Sequence, residues 1–310
     1  ELGGVYMLRT RPDCDAIRHC ASKAKRAVVI GGSFLGMEAA MSLVDLGLSV
    51  TIVESSDSLM RHLESRMLSE FFHRYVQDRG ASVVLGDPLA AFRGQDKIAE
   101  IETQSGLRIA CDLAVICAGV EAATSFLEGS RIALDNGRVV VDELLQASVP
   151  NVWAAGDVTA FQDPVFSRRR HIEHWDNAAK QGHHAALNML GRKLRYDQVS
   201  YFYCEVGDMG FDVLGATEEA DEWIARGSLD ERSFALFFLK DDVPRAIFSL
   251  GRPADETRLA EGLIRYRTNV SPQKARLGDP GFALDRLAMQ TVLVLQGGGA
   301  LGAYQAGVYE

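Results

Sequence analysis

Residues 26–54 constrain this chain more than any other stretch. Arg26 to Ile30 is a short apolar run, Gly31, Gly32 and Gly36 follow, Met37 to Leu46 is rich in good helix formers, and Ser49 to Val53 is a second apolar run leading to Glu54. Strand, turn, helix and strand over about thirty residues make one βαβ unit. Gly31 can make the tight turn after the first strand, and Gly36 lets the helix approach the sheet. The helix N-terminus then offers free N–H groups to a pyrophosphate. Ser33 replaces the middle glycine of the Gly-x-Gly-x-x-Gly pattern. A carboxylate at Glu54 can accept from both ribose hydroxyls and repels a 2'-phosphate, so NAD(H) is expected over NADP(H).

The texture around this unit extends the reading. Leu63, Met67, Phe71, Phe72, Tyr75 and Val76 recur at spacings of three and four, predicting a helix over 63–78 that Gly80 stops. Runs at 82–85, 97–103 and 112–117 read as strands, and the alternation of strands with helices predicts an α/β, doubly wound parallel sheet. A strand over 151–155 ends in Gly156 and Asp157, which places a carboxylate where open α/β sheets bind ligands, and a helix is expected from about His174 to Leu190. Beyond Tyr196, runs such as 233–239 and 245–250 are rich in aromatic and aliphatic residues and predict a small antiparallel domain closed by a helix near 258–267. Two prolines and two glycines in 271–281 read as a linker.

Composition sets the class. The chain has 310 residues, of which 47% are hydrophobic and 24% charged, and a formal net charge of -9. That balance excludes a disordered chain, and its sign disfavours nucleic acid as a partner. No apolar run reaches the roughly 18 residues of a membrane span. Five scattered cysteines form no zinc spacing, no metal site is expected, and the compartment they suggest is reducing and cytoplasmic.

Gly31 to Glu38, Glu54, Cys117-Ala118-Gly119, 138–142, Ala154-Ala155-Gly156-Asp157 and 173–178 occur in one order. In that order the chain resembles the FAD-dependent NAD(P)H oxidoreductases of the ferredoxin and putidaredoxin reductase type, which include proteins similar to apoptosis-inducing factor. The likeness covers about residues 2–270. It implies a Rossmann-type NAD domain inserted in a discontinuous FAD domain, here incomplete at its amino end, and a small α+β C-terminal domain. The boundaries expected on it are 1–22 for the end of the first FAD-domain half, 23–143 for the NAD(H) domain and 144–196 for the second FAD part. The C-terminal domain would follow at 197–270 and the linker at 271–288.

The resemblance also implies roles. Gly31, Gly32, Ser33, Phe34, Gly36, Glu38, Glu54 and Gly119 would line the NADH site, with Glu38 near the nicotinamide. Gly156 and Asp157 would hold the flavin ribityl chain, and Glu173, His174 and Trp175 would lie close to the isoalloxazine. Ser58 stands where relatives often carry an arginine, a further sign against NADP. The activity implied is an enzyme passing electrons from NADH through FAD to a ferredoxin-like iron–sulfur protein. The dense basic run Arg168, Arg169, Arg170, just before the flavin-facing segment, reads either as a docking patch for such an acidic partner or as a solvated turn. The alternatives are an NADH-dependent disulfide or peroxide reductase and a redox-sensing module. No histidine follows His184, so the acid–base group that thiol chemistry needs is not found beyond it. Residues 289–310, with Gly297, Gly298 and Gly299 after a strand signal, resemble the oxyanion loop that opens patatin-like phospholipases, whose lipase activity such a module would control.

Overall fold

The computed structural model describes residues 2–287. The expected strand at 291–295 and the glycine loop at 297–299 lie outside the described residues. In chain order the elements are β1 (Val5–Met7), α1 (Arg11–Ala21), β2 (Arg26–Ile30), α2 (Phe34–Asp45), β3 (Ser49–Val53), α3 (Arg66–Asp78), β4 (Ser82–Val84), β5 (Leu89–Gly94), β6 (Ile98–Thr103), β7 (Arg108–Ala110) and β8 (Leu113–Ile116). Then come β9 (Leu134–Asp135), β10 (Arg138–Val141), β11 (Thr159–Asp163), β12 (Arg168–Arg170), α4 (Trp175–Met189), β13 (Tyr201–Val206), β14 (Met209–Gly215), β15 (Glu222–Ser228), β16 (Ser233–Lys240), β17 (Val243–Leu250), α5 (Ala254–Arg265) and α6 (Lys274–Leu277). No helix among the described residues is long and apolar enough to cross a membrane.

The doubly wound sheet is present, with strand order β1-β8-β2-β3-β4 and every neighbour parallel. From β2 the chain winds one way through β3 and β4, while β8 lies on the other side. The carboxyl ends of β2 and β8 therefore flank the switch point where such sheets open a crevice.

Four expectations change. Residues 1–22, expected to end the first FAD-domain half, instead supply β1 as the edge of this nucleotide sheet, paired in register from Val5 with Ala114 to Met7 with Ile116. Residues 97–103 belong to a separate antiparallel meander of order β5-β6-β7, because a short turn returns each strand beside the last. Residues 151–155 form no strand. Asn151 takes a left-handed φ of 62°, and a single bridge of Gln146 to Trp153 is all the pairing there. The expected linker over 271–288 is packed rather than free, since Leu277, Phe282, Leu284 and Leu287 are buried against the C-terminal sheet.

That sheet, of order β13-β14-β17-β16-β15, is covered on both faces. Along β16, Phe234, Leu236 and Phe238 join the core of the nucleotide domain, while Ala235, Phe237 and Leu239 join a second core under α5 and residues 277–287. Alternation of side chains across a strand sends the two sets to opposite faces, which is why the run reads as continuously apolar. The first core fuses the two domains through a tilted contact of Phe72 with Phe211 (5.3 Å) and an edge contact of Phe71 with Phe234 (5.2 Å).

Candidate functional site

The turn after β2 is shaped by close approach. Gly31 has φ +109° and donates its N–H to the Val53 carbonyl at 2.9 Å, and a Cβ there would lie 2.5 Å from the Cys117 carbonyl oxygen. At Gly36 a Cβ would come within 2.0 Å of the Gly31 oxygen, so a side chain at either position would force β2, β8 and α2 apart. Ser33 caps α2 with extended backbone but makes no side-chain cap bond, which leaves first-turn N–H groups for a ligand.

Glu54, at the end of β3, is half-buried and accepts from the Gly32 N–H at 2.6 Å and the Ser56 N–H at 2.7 Å. Burial, the largest single cause, would raise its pKa, but the hydrogen bonds from Ser56, Gly32 and Ser55 together outweigh it and hold the carboxyl below its ordinary value. Glu54 is thus an anion beside the glycine turn; its Oε1 also accepts from the Ser55 hydroxyl at 3.1 Å, and its Oε2, bonded to Gly32 alone, keeps a lone pair for a further donor. Gly119, after β8, is exposed with φ +101° and open space around it.

Glu38 lies on α2 just past the turn. Its Oε1 accepts from the Cys204 thiol at 3.1 Å and from the Glu205 N–H at 3.4 Å, both on β13.

The second group gathers at the N-terminus of α4. Gly156 donates its N–H to Gln181 Oε1 at 2.8 Å, and Gln181 is fully buried with its Nε2 lacking a partner among the described residues. Asp157 is exposed on the same turn, and its carbonyl is 3.0 Å from His171 Nε2. Glu173 is held by Arg138 at 3.0 Å and lies 3.1 Å from His171. His174 caps α4 without a side-chain bond, and burial, then the charge of Arg170, pushes its pKa down to about 4. Trp175, the next residue, is 84% exposed. An uncapped helix start, a spare buried amide and a neutral imidazole suit the polar edge of a flavin, so these residues could hold one.

The two groups meet through aromatic contacts. Phe34, first residue of α2, packs edge-on against Phe202 at 4.7 Å, and Phe202 stacks on His174 at 4.1 Å. Sequence reasoning did not select Phe202, Cys204, His171 or Gln181. The aromatic run Tyr201-Phe202-Tyr203 is the one local signal that marks any of them.

The basic run is not a free patch. Arg170 is buried with Asp163 at 3.1 Å, Arg168 pairs with Glu218 and Glu219, and Arg169 is 3.6 Å from Asp135. Three guanidiniums thus face four carboxylates, because β12 lies beside the Glu218–Glu219 turn and Arg170 points into the core.

Comparison with known proteins agrees with this geometry. The family model described as pyridine nucleotide-disulphide oxidoreductase matches residues 1–182, and the model described as reductase C-terminal matches 201–288. The ferredoxin reductase component of chlorobenzene dioxygenase from Cupriavidus sp. is 31% identical over 90% of this chain and 67% of its own length. The ferredoxin–NAD(+) reductase subunit of the benzene 1,2-dioxygenase system from Pseudomonas putida is 29% identical over 88% of this chain and 66% of its own. The covalent putidaredoxin reductase–putidaredoxin complex superposes with a TM-score of 0.86 at 26% identity, over 92% of this chain and 68% of that one. A glycine turn at a sheet's switch point, an α4 start facing it and two family models covering both halves lead to one assignment: the chain belongs to the pyridine nucleotide-disulphide oxidoreductase family.

Proposed function

We propose that this chain supplies the NADH site, part of the FAD site and the C-terminal domain of a flavoprotein reductase that passes electrons from NADH through FAD to a ferredoxin-like iron–sulfur protein. The observation that carries the reading is the contact of Phe34 with Phe202 and of Phe202 with His174, which brings the dinucleotide turn and the start of α4 to one place. Two bound rings meeting there would be close enough for hydride transfer, and a flavin then supplies the step from paired to single electrons. The chain's own residues bind and orient. Glu54 takes the adenosine ribose, the start of α2 takes the pyrophosphate, and Glu38 and Gly119 line the nicotinamide half. Gly156, Asp157, Glu173, His174 and Trp175 border the flavin.

The printed names of the relatives support an iron–sulfur acceptor and NAD. In domain terms, β1 to β8 with α1 to α3 form the NADH unit, and the expected boundary at 143 moves back, because β9 and β10 form one sheet with β11 and β12 and share a core with α4 in the flavin-facing unit; 197–287 form the C-terminal domain. Five unpaired cysteines fit a cytoplasmic setting. The finer reading of 289–310 as the opening of a patatin-like domain rests on Gly297, Gly298 and Gly299 in sequence alone, and acyl-ester hydrolysis by the full gene product tests it.

The nucleotide reading is tested by titrating the chain with NADH and NADPH and following nicotinamide fluorescence. NADH should bind more tightly, and Glu54→Arg should narrow the gap by about 1–3 kcal/mol, the cost of removing a paired acceptor. Equal affinities in the unmutated chain would remove Glu54 as the selector. Absence of binding to either nucleotide would remove the reading altogether.

A further inference from the structure

The buried thiol of Cys204 is used in no step above, yet it bonds a group in the crevice. Cys204 is 4% exposed on β13, and its Sγ–H donates to Glu38 Oε1 at 3.1 Å. The neighbouring Glu205 N–H donates to the same oxygen at 3.4 Å. Both donors come from the C-terminal domain, and the acceptor sits on the helix that follows the glycine turn. Burial, then the Glu38 charge, drives the Cys204 pKa far above its ordinary value, so the sulfur keeps its proton and acts as a donor. Among the described residues no donor reaches the other oxygen of Glu38.

The topology says which part of a nucleotide that oxygen meets. Glu54 marks the adenosine side at the end of β3, and the start of α2 marks the pyrophosphate, so the remaining half must cross the switch point toward β8. Glu38 lies on that side. Its charge is near enough to raise the pKa of Cys117, the residue after β8, although burial is the larger cause there.

We propose that Cys204 is a positioning residue: its thiol, with the Glu205 N–H, fixes one oxygen of Glu38 so that the other is presented to the nicotinamide half of NADH. The inference rests on the NADH reading above. It makes the C-terminal domain part of the nucleotide site, through a hydrogen bond across the same contact that seats Phe34 on Phe202. Removing the thiol hydrogen leaves Glu38 Oε1 to the long Glu205 N–H bond alone, which loosens the carboxylate and weakens the hold on the carboxamide end. The adenosine end, held at Glu54, is untouched.

The test compares NADH with ADP-ribose, which lacks the nicotinamide, by calorimetric titration of the full chain and of Cys204→Ala, Cys204→Val and Cys204→Ser. Valine fills the thiol's volume without a donor, so a donorless protein remains if the alanine variant does not fold. The expected result is that Ala and Val weaken NADH by about three- to tenfold, leave ADP-ribose within about twofold, and that Ser restores NADH. Unchanged NADH affinity in the donorless variants overturns the proposal, and so does equal weakening of both ligands, which would mark a packing role. A wild-type chain that binds neither ligand fails at the NADH reading itself and takes this inference with it, whereas wild-type binding with indifferent variants removes the inference alone.

Discussion

At the scale of the residue, the groups legible in sequence are those whose constraint is local. Gly31 and Gly36 are set by a turn that the flanking apolar runs already announce, and Glu54 by the end of the next strand. Phe202, Cys204 and Gln181 were not legible, because each acquires its place from contact with a segment far away in the chain. His174 lies between these cases: the resemblance marks it, but only the fold shows it stacked on Phe202 with its pKa pushed down to about 4 by burial. An unfolded histidine titrates near 6.5, so between about 4 and 6.5 the unfolded chain binds more protons than the folded one. Stability from this residue is complete above about 6.5 and is lost as the pH falls through that window. Urea unfolding at about pH 7.5 and pH 5 should show a loss of about 1–2 kcal/mol that His174→Phe, which keeps the stack, does not share. Identical pH dependence in the two proteins would show that His174 is not held neutral by the fold.

At the scale of the element, apolar periodicity located most strands and helices, and failed where punctuation was read as freedom. The strand β16 was visible as an apolar run, and burial on both faces explains why it does not alternate with polar residues. Proline and glycine in 271–281 mark local backbone turns, but they say nothing of what holds the turns. Here the holder is Arg226 on β15, a side chain 2% exposed whose guanidinium pairs with Glu256 at 2.9 Å. It also donates to the carbonyls of Leu277 (3.3 Å), Pro280 (3.2 Å), Phe282 (2.9 Å) and Asp279. One fully buried cation thus satisfies four backbone acceptors of the segment that was expected to be a linker. Arg226→Ala strands those carbonyls and leaves Glu256 to Arg252 alone, so it should cost about 3–5 kcal/mol. A urea midpoint within error of wild type would mean that the segment is held by its buried Leu277 and Phe282 rather than by the cation.

At the scale of the whole molecule, charge decides how a redox partner arrives. The chain carries a net charge of -9, and at long range that field repels an acidic iron–sulfur protein. The sequence offered Arg168, Arg169 and Arg170 as the local remedy, because density of like charge is all a sequence can show. The fold pairs them with Glu218, Glu219, Asp135 and Asp163, residues close to 50 positions away or fewer, and buries Arg170 beside Asp163. Attraction from this strand is therefore cancelled within the molecule, and only Arg169, about half exposed, keeps a loose surface pair. Stopped-flow reduction of an acidic ferredoxin by the complete flavoprotein should then hold steady or quicken as salt rises from about 20 to about 200 mM, since added ions screen repulsion first. Arg169→Ala should change that rate by less than about twofold. A rate that falls steeply with salt, and falls again in Arg169→Ala while hydride transfer from NADH is unchanged, would return the docking role to β12 and show that the partner opens its ion pairs on arrival.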